Sequence, residues 1–259
     1  MESTIARKAR LCVALGLFAC GQEAVSPHHD GGAAMETVVE TPVDVHGAIR
    51  EIFMQGQTQS RVRLDELSLT SSSFGLGALS ELRGEITIVE GESWLAYPDG
   101  PEDVDVEVTT DSDEGAALLV VADVEAWLSL PIDAEVSYQE LGAYVSTRAE
   151  AAGWPNRGPL PFLIEGPVRS LRWHVVDGTR VPEAEWSREA VQETAFRETL
   201  DQGDVRCIGF YAPDQQLVFI PPGETVHVHM VDESRQVSGH VEDAVILPGA
   251  VLKLPIHAP

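Results

Sequence analysis

Lysine is almost missing from this chain. Lys8 and Lys253 are the only two in 259 residues, and 17 basic residues stand against 42 acidic ones, for a formal charge of -25. So acidic a chain has no material for the basic patch that grips nucleic acid or an anionic lipid surface, and neither is expected as a partner through charge. Cysteine is nearly as scarce. Cys12 and Cys20 fall in what reads as a targeting segment, which leaves Cys207 alone and excludes a disulfide framework. Cys207 is expected to act as a small buried apolar residue. Long hydrophobic runs are missing too, because the stretch 11–19 is too short to span a bilayer. No repeat of roughly 20 to 50 residues is visible, which excludes a solenoid.

What is present is an ordinary globular composition, 44% hydrophobic, in a chain long enough to bury a substantial core. The N-terminus has its own character. Arg7, Lys8 and Arg10 precede the apolar run, and Leu17-Phe18-Ala19-Cys20 resembles a bacterial lipoprotein box, with Phe18 where a small or β-branched residue is usual. Residues 1–20 are read as a signal segment with Cys20 as a candidate lipid attachment point. Residues 21–44, rich in Gly, Ala, Pro, Ser and acidic side chains, are read as a flexible tether, and 45–259 as the folded domain. The expected location is outside the cytoplasm, periplasmic or anchored by that lipid, with a cytoplasmic chain as the alternative. Membrane contact is expected only through the anchor.

Within the domain, helical stripes are predicted at Ile49, Ile52 and Phe53, and again at Val62, Leu64 and Leu67. Longer helices are predicted over Tyr138–Ala151, stopped by Gly153-Trp154-Pro155, and over residues 182–200. Strands are predicted around Ile86 and Ile88, over 116–121, over 159–168 and 171–176 with a turn between them, and over 205–211 and 216–220. Gly75 and Gly77 lack the third glycine and following helix of a phosphate-binding loop.

The stretch 223–243 is the richest in chemistry. A strand over 226–231 puts His227 and His229 on one face. The polar residues 232–236 turn the chain, and 237–241 return antiparallel, bringing His240 beside the first pair. Gly239 permits a close backbone approach. Three protein ligands and an open fourth position are the pattern of a catalytic zinc, and no cysteine lies nearby to close the site. Without a metal, two histidines on one strand are equally half-buried sheet residues. Glu85, at a strand entrance beside Gly84, reads on its own as a solvated carboxylate. His28 and His29 in the tether read as incidental.

The succession Phe74-Gly-Leu-Gly77, Leu82-Arg-Gly-Glu85, Asp204-Val-Arg-Cys-Ile-Gly-Phe210 with Pro213, and the histidine stretch resembles the bacterial α-acetolactate decarboxylases over residues 45–254. The resemblance implies an α/β fold of the α+β type, two packed β-rich halves with mixed or antiparallel sheets around a His-rich zinc site. It implies conversion of acetolactate (2-hydroxy-2-methyl-3-oxobutanoate) to acetoin and carbon dioxide. The partner is then a small keto acid, with a homodimer as one assembly. Carried over by position, His227, His229 and His240 match the zinc ligands and Glu85 an active-site glutamate. Such a β-keto acid loses carbon dioxide once its ketone is polarised, and a carboxyl group can shuttle the hydroxyl proton or orient the substrate.

The resemblance departs at two places. The family's arginine before Ile-Asp-Gly falls on Leu163 here, with Arg169 or Arg172 as nearby replacements, and its C-terminal glutamate finds no counterpart before Pro259. One positioned electrostatic group is worth about 10²- to 10³-fold in rate. A slow or substrate-shifted enzyme, or a non-catalytic exported module binding zinc or a small ligand, is therefore also expected. A third reading is cupin-like: Pro221-Pro222-Gly223, His227-x-His229 and Glu233 are similar to a cupin metal segment, whose mixed donors favour iron or manganese.

Overall fold

Short β-branched and apolar runs separated by glycine and acidic turns make strands rather than helices, and the computed structural model, which describes residues 41–154 and 158–256, is built mainly from them. The signal segment, the tether up to residue 40 with Cys12, Cys20, His28 and His29, and the last three residues lie outside the described residues. No helix among those described is long and apolar enough to cross a membrane.

The first half runs β1 (Val43–His46), α1 (Ile49–Gln55), β2 (Val62–Arg63), β3 (Ser73–Leu79), β4 (Glu85–Val89), β5 (Glu92–Pro98), β6 (Val104–Thr109) and β7 (Gly115–Asp123). These strands form one sheet in the order β1-β7-β3-β4-β5-β6, with β2 also on β7, and every ladder is antiparallel. The second half runs β8 (Trp127–Pro131), β9 (Val136–Ser137), α2 (Tyr138–Ala151), β10 (Leu160–Val175), α3 (Arg188–Thr194), β11 (Phe196–Tyr211), β12 (Val226–Asp232), β13 (Val237–Ile246) and β14 (Val251–Pro255). Its sheet order is β8-β14-β10-β11-β12-β13-β9, again antiparallel throughout. The long β10 pairs with β11 on one edge and with both β14 and β13 on the other, so β10, β11, β12 and β13 close a ring.

Period-two alternation sorts the apolar residues into three layers. Ile86, Ile88, Leu95 and Leu119 fill the outer face of the first sheet under the loop carrying Leu64 and Leu67. Phe74, Leu76, Leu118 and Val120 on its inner face meet Leu163, Ile208 and Phe210 of the second sheet. The far side of the second sheet, with Phe162, Trp173 and Val228, is covered by α2 through Leu141, Val145 and Ala149. Helix α2 begins with a capping box, Ser137 Oγ donating to Glu140 Oε2 at 2.6 Å. Cys207 is free and buried, as expected, and burial pushes its thiol up to about 12.

Four expectations are corrected. The stripe Val62, Leu64, Leu67 is a two-residue strand followed by a 3₁₀ turn over Leu64–Glu66. The turn expected between 168 and 171 is a β-bulge, with Ser170 at φ 51° and the register shifting between Arg169 and Arg172, so β10 bends without ending. The helix expected over 182–200 shrinks to the seven residues of α3. From Phe196 the chain is strand, because Phe196 packs on Trp173 with ring centroids 5.2 Å apart and joins the ladder beside Val175. Residues 216–220 are a tight turn rather than a strand, with Leu217 at φ 63° and Phe219 and Ile220 buried.

Candidate active site

Register builds the site. His227 and His229 share a face of β12, His229 lies opposite His240 on β13, and His240 lies opposite His174 on β10. Residues directly opposite in an antiparallel ladder project to the same side, so four imidazoles stand on one face of the second sheet. His174 stacks on His240 with centroids 4.6 Å apart, and His227 lies 4.7 Å from His240. The ligand atoms of His227, His229 and His240 all lie within 4.8 Å of one another, and His227 Nε2 is 2.9 Å from His240 Nδ1.

The first sheet contributes β4. Glu85 and Thr87, two positions apart, turn toward the histidines while Ile86 and Ile88 turn away. Glu85 is 4% exposed, its Oε2 3.8 Å from His229 Nε2 and its Oε1 3.8 Å from His174 Nε2. Thr87 Oγ1 sits 3.1 Å from His229 Nδ1 and accepts the Ser238 hydroxyl at 2.8 Å. The solvated carboxylate suggested by the local sequence is thus a buried one, because the second sheet packs over it.

Burial governs the protonation states. It holds His227 down to about 4 and His229 and His240 well below the ordinary imidazole range, so all three are neutral near pH 7 with a lone pair each. It raises Glu85 well above the usual carboxylate range, against a backbone hydrogen bond from Val176. Glu242 goes the other way. His174 Nδ1 at 2.9 Å, with Arg197 and Arg172 bonding its two oxygens at 2.9 and 2.8 Å, holds it at about 2.

The donors fit zinc. His227 Nδ1 donates to the Phe219 carbonyl at 2.6 Å; a carbonyl only accepts, so the proton is on Nδ1 and Nε2 presents its lone pair inward. His229 Nε2 is buried without any hydrogen-bond partner among the described residues, an orphan that costs about 1–3 kcal/mol and that a cation would satisfy. Three neutral imidazoles without a thiolate are a zinc donor set of the open, catalytic kind.

A cleft of about 840 Å³, counted out to open solvent, leads to the cluster. Ile49, Ile52 and Phe53 of α1 with Leu118 and Val176 make its apolar wall, while Glu85, His174, His227, His240 and Glu242 make the floor. Leu163 does not line it. That side chain is 2% exposed, packed between the sheets, and the arginine position inferred from the sequence therefore falls in the core. Arg169 pairs outward with Glu135 at 2.6 Å, and Arg172 reaches the site only through Glu242. Glu233 is exposed in the β12–β13 turn, 3.8 Å from Arg206, so the cupin-like set is not assembled. Sequence reasoning missed His174, Glu242 and Arg188 of α3, which also lines the cleft. The one available signal was His174 inside a predicted strand, and its register could not be read across an expected turn.

Two antiparallel seven-stranded sheets closing on a histidine triad define an α+β protein with a candidate metal centre at the sheet interface. The sequence matches the alpha-acetolactate decarboxylase family over residues 46–255, and the chain belongs to that family. Its fold is similar to the alpha-acetolactate decarboxylase of Bacillus subtilis strain 168, at 16% identity and a TM-score of 0.68, covering 83% of this chain and 85% of that one. It is similar to the acetolactate decarboxylase of Bacillus subtilis subspecies spizizenii at 17% identity and a TM-score of 0.65, covering 83% and 86%. A Staphylococcus aureus protein of unknown function, described as similar to alpha-acetolactate decarboxylase, matches at 16% identity and a TM-score of 0.65, covering 83% and 85%. A search of the curated proteins found no match.

Proposed function

We propose that this protein is a zinc-dependent decarboxylase that converts acetolactate to acetoin and carbon dioxide. One observation carries the reading: three neutral imidazoles converge at the foot of a cleft, with a buried carboxyl of the opposite sheet 3.8 Å from the innermost ring. Family membership supports it.

His227, His229 and His240 are the residues that would hold the ion. Held there, zinc would supply Lewis acidity toward the negative charge that develops on the ketone oxygen. Phe219 and Thr87 take the outer ring nitrogens of His227 and His229 and so fix which nitrogen faces inward. Glu85, in its ionised form, accepts the proton of the tertiary hydroxyl and returns it to the carbon that lost carbon dioxide, and a proton from solvent restores the hydroxyl, so that one proton is consumed per turnover. His174, steadied by Glu242 and through it by Arg172 and Arg197, orients Glu85 from the other side. The apolar wall from α1 receives the substrate's methyl groups and keeps water from the reacting carbon. An envelope location with lipid on Cys20 belongs to the same proposal, tested by mass spectrometry of the mature N-terminus.

The test is acetoin release from racemic acetolactate, expected to stop on chelation and to return with zinc. No release above the uncatalysed rate by zinc-loaded protein would sink the proposal.

A further inference from the structure

Arginines in this acidic chain are mostly matched to carboxylates: Arg61 to Glu51, Arg169 to Glu135, Arg206 to Glu165 and Arg235 to Glu198. Arg188 breaks the pattern. Half-buried on the first turn of α3, it lines the cleft with Glu85, His174 and His240, yet makes no ion pair or hydrogen bond among the described residues. Its charge still reaches the floor. Burial is the main cause that lowers His174 and His240, and Arg188 lowers both further.

The helix is pinned where Arg188 must stand. Ser187 Oγ caps it by accepting the Ala190 N–H at 3.0 Å, and Val191 is buried beneath it. Trp186 stacks on Phe53 and donates its Nε1–H to the Ile52 carbonyl at 3.3 Å, tying α3 to α1 across the mouth of the cleft. Gln192, one turn on and on the same face, is held by Arg197 at 2.6 Å. The other carboxylates of the wall are taken: Glu242 by His174 and two arginines, Glu224 by the Tyr138 hydroxyl at 3.2 Å. Among the described residues, Arg188 is the one arginine or lysine that lines the cleft; its charge reaches Glu224, yet no ion pair joins the two.

We propose that Arg188 receives the carboxylate of the substrate and so selects 2-hydroxy-3-keto acids over neutral hydroxyketones. The identity of the reaction rests on the decarboxylase reading; the anion site does not. A guanidinium presents paired N–H donors that match a carboxylate, and its charge offsets the acidic wall that a substrate anion must pass. The contact exists only until carbon dioxide leaves, and neutral acetoin has nothing for it to hold. A contact made in the ground state and lost on reaction contributes to substrate binding and not to the rate of the chemical step.

Wild-type, Arg188→Met and Arg188→Lys proteins, loaded with zinc, are titrated calorimetrically with 2,3-dihydroxy-2-methylbutanoate, which has no ketone and cannot decarboxylate, and with its neutral methyl ester. Wild type is expected to prefer the acid. Arg188→Met reduces that preference by on the order of 10- to 100-fold, the worth of a charge-assisted contact, and whatever remains is the zinc ion's own attraction. Arg188→Lys keeps part of it, and zinc content and unfolding midpoint stay the same in all three. With acetolactate, Arg188→Met raises KM by a similar factor and leaves kcat at or above wild type. No binding of the acid to wild type, an equal preference in wild type and Arg188→Met, or a fall in kcat with unchanged KM would each overturn the proposal. If no acetoin forms but Arg188→Met still loses the preference, the anion site stands and the decarboxylase reading falls. If acetoin forms and the preference is the same in both proteins, only the anion site falls.

Discussion

The two sheets have equal numbers of strands and bury similar apolar faces, but they reach the cleft by different routes. The second sheet supplies all four histidines through the register of three adjacent strands, and a slip of one residue between β12 and β13 would turn His240 to the other face. The first sheet supplies Glu85 and Thr87 from β4 alone, while Ile86 and Ile88 of the same strand close an apolar layer behind them. The histidine cluster is therefore a property of one sheet's ladder. The buried acid is a property of how two sheets pack, and the two can be broken separately.

The largest effect is expected from His229→Ala. Its ring is fully buried and supplies the orphaned nitrogen, so metal analysis should show zinc falling from about one per chain to near none, with activity lost. A variant that kept its zinc would remove His229 from the donor set. Glu85→Gln strikes the other sheet: zinc should stay, while turnover falls roughly 10²- to 10⁴-fold. Retained turnover would take Glu85 out of the proton transfer. Ile88→Ala, on the far face of β4, should cost about 2–5 kcal/mol in urea unfolding without moving KM or zinc content. A changed zinc content would show that the two faces of β4 are coupled. Thr87→Val removes the partner of His229 Nδ1 and of Ser238, and should weaken zinc about 10- to 100-fold in competition with a chelating dye.

The smallest effect concerns pH. Burial raises Glu224, while the Tyr138 hydroxyl and Arg188 pull it back down. A carboxyl raised on folding favours its protonated form in the native state. Its contribution is therefore complete below the unfolded value and declines as pH rises through the folded one. Glu224→Gln should flatten that decline slightly in a pH series of melts, and a steeper decline would contradict the sign.

The histidine hairpin was legible because each of its signals is local: alternation in 226–231, a polar turn, and a return strand with His240 inside it. Helix α2 was legible for the same reason, since its stripe of Leu141, Val145 and Ala149 lies within one element and its glycine stop follows directly. The stretch 182–200 was not. Whether Phe196 continues a helix or opens a strand depends on Trp173, which local periodicity cannot see. Leu163 shows the same limit, because a position matched along the sequence lands in the core while His174 of the same strand faces the cleft.

By itself, then, the sequence determined the three candidate metal donors and their common face, since a period of two and a short turn are enough to aim side chains within one hairpin. Only the tertiary structure decided that Glu85 is dry, that His174 and Arg188 belong to the site, and that Leu163 does not. Those outcomes depend on which surfaces exclude water from which, and that follows from the packing of two sheets and three helices whose contacts lie far apart along the chain.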